Sequence, residues 1–287
     1  MSSLATAAKR ALKYMDPTFL RNRAMYLLAE NPPLDDIGPQ GDDATTLDQR
    51  PLPKRWDVSQ VKSGTVTSCP EVSGLFLHRN FLNASDLLKV ERFVAVASEQ
   101  HQWFTYHKGR EMLPVNSLQR KQDLPRSADL HDLLLSLQST NNTNPDTWPD
   151  LESWCQHDNS DAAAGAKVLV RVQQKIQENN DLLPKAVDEP CLFVQIQNVI
   201  RGGVVGSHVD PLVKGGKAIA TLIINGVTDV RVGDTLLRVE PGDMYGLEGH
   251  ARYNIEHEVL PTVDDRLTAT FRFGHDDVET REKFNTV

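Results

Sequence analysis

Cysteine is scarce in this chain, and its three copies, Cys69, Cys155 and Cys191, stand far apart. An odd number without close pairs argues against a disulfide framework or a cysteine-based metal cage, and fits a reduced intracellular compartment. Long apolar runs are missing too. No stretch of about 18 apolar residues occurs, which argues against a membrane-spanning helix. Cations are in the minority, with 31 Lys and Arg against 39 Asp and Glu and a net charge of −8. Such a chain has no global attraction to phosphate backbones, so contact with nucleic acid would require a local basic patch. Internal repeats and long low-complexity tracts are absent as well.

What remains is ordinary for a globular protein: 287 residues, 39% apolar and 24% charged, enough for a sizeable core in one large domain. Residues 1–24 carry Lys9, Arg10, Lys13, Arg21 and Arg23 against Asp16 alone. Two readings stand: an amphipathic helix with a basic face, or a mitochondrial transit peptide. The expected location is accordingly the cytoplasm or nucleus, with the mitochondrion as the alternative.

Residues 30–70 are rich in Pro, Asp, Gly and Thr and read as a linker or surface segment, with order beginning near Gly74. GLFLHRNFL reads as a strand. NASDLLKVERFVAVASEQ reads as a helix capped by Asn83 or Ser85. Residues 100–160 are irregular and aromatic, and an alanine-rich helix follows at roughly 161–179, with Pro184 beyond it. From Cys191 onward the pattern turns to short strands: CLFVQIQNVI, IATLIING, VTDVRV, TLLRVE, MYGL, ARYNIEHEVL and RLTATFRF, separated by Asn-Gly, Gly-Asp and Pro-Gly-Asp turns. This spacing predicts a β-sandwich or barrel, so the fold class is α+β and mainly β: a helical and irregular N-terminal half supporting a C-terminal jelly-roll. The expected organisation is an extension over 1–73, a domain over 74–277 with an irregular lid region at 100–160 and a jelly-roll core at 190–274, and a tail over 278–287.

The segment VVGSHVDPL carries the chemistry. Residues i and i+2 of a strand share a face, so His208 and Asp210 project an imidazole and a carboxylate into one space. With a distant second histidine they compose a 2-His-1-carboxylate facial triad, which leaves three positions of an Fe(II) ion open for a bidentate keto acid and dioxygen. His257, inside an apparent strand, is the favoured third ligand. His250 is its rival, and His275 comes after the last strand.

In RLTATFRF, Arg266, Thr268, Thr270 and Arg272 alternate with Leu267, Ala269, Phe271 and Phe273. The apolar set is expected to pack into the sheet sandwich. The two arginine Cα atoms lie roughly 20 Å apart, so the extended side chains could bend together over a small dicarboxylate. A guanidinium fork suits such a carboxylate. The bland alternative is an outer strand whose polar face meets water.

These residues resemble the AlkB-like family of Fe(II)/2-oxoglutarate dioxygenases, whose pattern is His-x-Asp, a distal His, and two arginines six positions apart. Here the order is His208-Val209-Asp210, His257, Arg266 and Arg272. EGHARYNIEHEV, GLFLHRNFL and Trp148-Pro149 add to the likeness, which covers roughly residues 74–275. The resemblance implies a double-stranded β-helix, with iron on His208, Asp210 and His257. It implies 2-oxoglutarate as co-substrate, with its distal carboxylate on Arg266 and with Arg272 nearer the metal and substrate. The implied reaction is hydroxylation of a C–H bond; where the carbon is an N-methyl group, the product falls apart to formaldehyde and a demethylated nitrogen. Base-repairing members place an Asn-x-Tyr pair ahead of the His-x-Asp motif. The matching places hold Gln197 and Val199, so Gln197 can supply the amide and no phenol is present. Pro211 and Leu212 follow the metal Asp where such members tend to carry an acid.

Residues 101–126 set aromatics beside Lys108, Arg110, Arg120, Lys121 and Arg126 against Glu111 and Asp123, a local +3. That stretch, with Trp103, Tyr106, Lys108 and Arg110 as contacts, is expected either to form a lid for methylated RNA or DNA or to be a solvated loop packed on the core. A protein side chain is the alternative substrate, and a non-catalytic jelly-roll binding module the alternative class. A monomer is expected.

Overall fold

In the computed structural model, residues 53–101, 103–106, 110–115, 150–210, 216–262 and 264–274 are described. The N-terminal basic segment, most of the 101–126 patch, Trp148-Pro149, Pro211-Leu212 and the C-terminal tail lie outside the described residues. So do His275 and Lys108.

Three strands open the described chain: β1 (Lys54–Arg55), β2 (Val66–Ser68) and β3 (Leu75–His78). Order thus precedes Gly74. β1 pairs in parallel with a distant strand, and Trp56, Cys69 and Val72 are buried, so scattered tertiary anchors do what no local periodicity announces. Helix α1 (Ala84–Gln100) begins where the Asn83 side chain accepts from the Asp86 N–H, and it buries Leu87, Val90, Phe93, Val94 and Ala97 at helical spacing. The region expected to be irregular holds a hairpin, β4 (Phe104–Tyr106) and β5 (Arg110–Val115), and a short helix α2 (Leu151–Cys155). Helix α3 (Ser160–Glu178) is capped by Asn159 and followed by a 3-10 turn at Pro184–Ala186.

Eight strands then follow: β6 (Cys191–Val199), β7 (Val205–His208), β8 (Ala218–Asn225), β9 (Thr228–Val232), β10 (Thr235–Val239), β11 (Met244–Glu248), β12 (His257–Val259) and β13 (Arg266–Phe273). Among the described residues they compose two sheets, ordered β2-β3-β11-β8-β13-β6-β5-β4 and β1-β10-β9-β12-β7. Strands β6 to β13 cross between the sheets at every step except the β9–β10 hairpin, the pattern of a jelly-roll, the double-stranded β-helix, with β2 to β5 widening the larger sheet. One expected strand is shorter than its apolar pattern suggests. ARY is the last part of a helical turn, α4 (Gly249–Tyr253), and Asn254 follows it, because Gly249 turns at positive φ and ends β11.

The larger sheet buries both faces. On the outer face Val194, Ile196, Ala220, Leu222, Ala269, Phe271 and Phe273 pack with Phe93, Ala97, Leu169, Val172 and Ile176 of α1 and α3. On the inner face Val199, Ile219, Ile223, Tyr245 and Leu247 meet Val230, Val232, Leu237 and Val239 of the smaller sheet. The apolar side of β13 therefore sits under the helices, reversing the expectation from its sequence. The two helices exclude water from one side, which leaves the Arg/Thr side facing between the sheets.

The helix pair approaches closely at one point. A Cβ on Gly165 would lie 2.2 Å from the Lys89 carbonyl oxygen and 2.5 Å from the Phe93 Cβ. Alanine there gains about 1 kcal/mol of helix propensity but overpacks a backbone contact, so Gly165→Ala is expected to destabilise by about 2 kcal/mol in urea titration. An unchanged midpoint would mean that the helices separate freely.

Candidate metal centre

The inner face of β6, β8 and β13 breaks the rule for a packed sandwich. Gln195, Gln197, Thr221, Thr268 and Arg266 are all buried there, on strands whose opposite face is mostly apolar core. Directly opposed residues on paired strands share a face. The register sets Thr268 against Gln197, and Thr270 against both Gln195 and Thr221. The Thr221 and Thr270 hydroxyls lie 3.1 Å apart, and the Thr268 hydroxyl donates to the Gln197 carbonyl at 3.5 Å. A polar lane thus runs through the jelly-roll interior.

At one end of the lane stand His208, Asp210 and His257, whose potential ligand atoms all lie within 4.8 Å of one another. His208 and His257 are cross-strand partners on β7 and β12, with ring centroids 4.4 Å apart. The pairing is bulged between His208 and Val205, and such bulges re-aim side chains beside functional sites. Asp210 Oδ1 is 3.8 Å from His208 Nε2, and Oδ2 is 3.5 Å from His257 Nε2. The His208 side chain is 33% exposed and that of Asp210 8%, so the centre opens on the His208 side. His250, the rival, is exposed on α4.

The surroundings prepare these groups as ligands. His208 Nδ1 lies 2.8 Å from the Gly206 carbonyl, which holds the proton on that nitrogen and frees Nε2. Arg272 donates to Asp210 Oδ1 at 3.1 Å, with its guanidinium over the Phe193 ring and a 3.4 Å contact to Gln195 Oε1. Burial raises the Asp210 pKa, but Arg272, then His257, Arg252 and His208, outweigh it and hold the carboxyl well below the usual carboxylate range. Burial pushes His257 down to about 4 against the opposing pull of Asp210, so its imidazole is neutral at pH 7. Two nitrogens and one carboxylate oxygen, two of the three groups enclosed, fit Fe(II) by donor chemistry. The buried His257 Nδ1 has no partner.

Neutral burial of His257 has a pH consequence. The unfolded imidazole takes up a proton near 6.5, while the folded one does so only near 4. Between those values the unfolded state binds more protons, so stability falls as pH falls. The metal-free protein is expected to lose about 3 kcal/mol across that window, beyond the general acid effect. His257→Gln should flatten that part of the pH profile of the urea midpoint; an unchanged profile would rule out the effect.

At the other end lies Arg266, 1% exposed. Burial lowers its pKa against a favourable contact with Tyr245, and its Nε and Nη2 atoms have no partner. A buried cation with unpaired donors is costly unless an anion meets it. Arg272 is tied to Asp210, so the two arginines serve opposite ends of the lane.

The substrate candidates fall elsewhere. Trp103 is half-buried against the helix-side core. Arg110 turns to Gln197, whose amide oxygen, once oriented toward the guanidinium, accepts from Nε and Nη2 at 2.6 and 2.9 Å. The Tyr106 side chain lies outside the described residues. Two site residues escaped the sequence reading. Gln195 shares the strand face of Gln197, an alternation visible in CLFVQIQNVI. Arg252, fully buried, donates to the Asp210 and Gly216 carbonyls at 2.9 and 3.0 Å. No local pattern marks it, since an arginine in a short polar stretch reads as solvent-facing.

Fold and site together define a double-stranded β-helix with a 2-His-1-carboxylate donor set. No protein-family profile matches the sequence, and no curated protein matches it. Among solved structures, the chain is similar in fold to a prolyl hydroxylase from Trichoplax adhaerens in complex with a hypoxia inducible factor oxygen degradation domain peptide fragment. Identity is 12% over 74% of this chain and 88% of that one, with a TM-score of 0.47. A Pseudomonas putida prolyl-4-hydroxylase matches at 14% identity over 70% of this chain and 92% of that chain, with a TM-score of 0.37.

Proposed function

We propose that the chain is an Fe(II)- and 2-oxoglutarate-dependent dioxygenase. The observation that carries this is the buried polar lane, which sets three metal donors at one end and, at the other, an arginine with two buried nitrogens that no partner meets. His208 Nε2, His257 Nε2 and an Asp210 oxygen hold the iron, and Arg266 receives the distal carboxylate of the keto acid. When bound, the iron with 2-oxoglutarate and dioxygen supplies oxidative decarboxylation to succinate and hydroxylation of a substrate C–H bond. The chain's own residues bind and orient. The Gly206 carbonyl sets the His208 tautomer, Arg272 steadies the Asp210 carboxylate, and the enclosing sheets exclude water.

The finer reading, oxidative removal of an N-methyl group from RNA or DNA, rests on the AlkB-like resemblance and on the local +3 of residues 101–126. A protein side chain is the second reading. It is favoured by the net charge of −8 and by Arg110 and Trp103, which are engaged inside the fold rather than offered to a phosphate backbone.

Succinate and formaldehyde release from a panel of methylated oligonucleotides and peptides tests both levels. Succinate formation is expected to require Fe(II) and His208. Formation that needs neither overturns the oxygenase reading. Formaldehyde from peptides alone overturns the nucleic-acid reading, and a partner bound without His208 or 2-oxoglutarate favours a binding module.

A further inference from the structure

We infer that Arg110, from the β4–β5 hairpin, is a second binding residue for the distal carboxylate of the co-substrate, acting beside Arg266. This rests on the function proposed above and adds a specificity-determining residue to it. Arg110 on β5 pairs with Val199 on β6, and Val199 pairs with Arg266 on β13. The three residues therefore share one rung and one face of the larger sheet. Two strand spacings separate the arginine Cα atoms, roughly 10 Å. An arginine side chain is long enough for both residues to reach a carboxylate placed above the short Val199 side chain.

Gln197, two residues before Val199 on the same face, holds the Arg110 guanidinium by its Nε and Nη2 atoms, at 2.6 and 2.9 Å with the amide oxygen turned toward it. A two-point hold fixes the guanidinium plane as well as its position. A cation serving only as a solvated lid charge has no need of such an anchor beside the buried lane. Arg266 on the same rung keeps two buried nitrogens unpaired. Two guanidinium groups on one rung and one face of the sheet suit a planar carboxylate, and they favour a keto acid with a second carboxylate over one that ends in a methyl group.

The experiment uses the full chain loaded anaerobically with Mn(II), titrated calorimetrically with 2-oxoglutarate and with 2-oxopentanoate. The second ligand has the same keto-acid head and chain length but no distal carboxylate. Arg110→Met is expected to weaken 2-oxoglutarate binding about tenfold to a hundredfold, with the 2-oxopentanoate affinity unchanged within about twofold. Arg110→Lys should recover part of the loss. Equal weakening of both ligands would show a structural role for Arg110 and overturn the inference. Wild-type affinity for 2-oxoglutarate in Arg110→Met also overturns it, while the dioxygenase reading stands. A wild-type chain that binds neither keto acid overturns both.

Discussion

Replacing Asp210 with Ala is expected to abolish iron retention and to lower succinate formation by on the order of a thousandfold or more. Groups that merely orient a ligand from behind already change metal affinity or activity by about 10- to 100-fold. Asp210 is the lone carboxylate among the three donors, so the ion loses both a ligand and its charge compensation. The variant also takes the carboxylate away from Arg272, whose Nη2 donates to Asp210 Oδ1 at 3.1 Å. Removing one partner of a buried pair costs about 3–5 kcal/mol, and the contact of Arg272 with Gln195 should keep the loss here at the lower end. Asp210→Asn keeps the shape and separates the two effects: it should retain most of the stability and still lose the iron. Iron content after anaerobic loading and dialysis, read beside the urea midpoint, checks both. An Asp210→Ala protein that keeps stoichiometric iron and makes succinate would remove Asp210 from the ligand set.

The strands of the jelly-roll were legible because each has a local cause. Asn225-Gly226 ends β8, with Gly226 at positive φ, and the 3.6-residue spacing of Leu87, Val90, Val94 and Ala97 makes α1. His208 and Asp210 were legible for the same reason, through the two-residue period of a strand. Which side of β13 faces inward was not. Alternation separates Arg266 and Arg272 from Phe271 and Phe273, but it does not say which set meets the other sheet. That depends on α1 and α3 covering the outer face, a packing fact carried by residues such as Gly165 and Phe93 far away in the chain. The inward turn of Arg110 was hidden likewise, because β5 becomes part of the larger sheet only by pairing with β6. Arg252 acts through the carbonyls of Asp210 and Gly216, contacts that exist only once β7 and α4 have been brought together.

The same inversion buries Arg266, which under the function proposed above serves a ligand at the expense of the free protein. Arg266→Met is expected to make the ligand-free protein more stable by about 1–3 kcal/mol, since replacing a buried charge with an apolar side chain of similar length is often stabilising by about 1–4 kcal/mol. Part of that gain is offset by the lost contact with Tyr245. Binding moves the other way. Without the guanidinium the distal carboxylate of 2-oxoglutarate would be buried unpaired, and affinity should fall on the order of a hundredfold or more. Ligand at about 100 times its Kd stabilises a native state by about 2.7 kcal/mol, so the wild-type chain loaded with Mn(II) should show a clear rise in Tm with 2-oxoglutarate. In Arg266→Met the baseline Tm should rise and the ligand-induced shift should vanish. A variant that is less stable without ligand, yet shifts as the wild type does, would make Arg266 a structural cation. The carboxylate would then have to be met elsewhere in the lane. The opposite signs separate the two roles, because a merely structural arginine lowers stability and leaves the ligand shift in place.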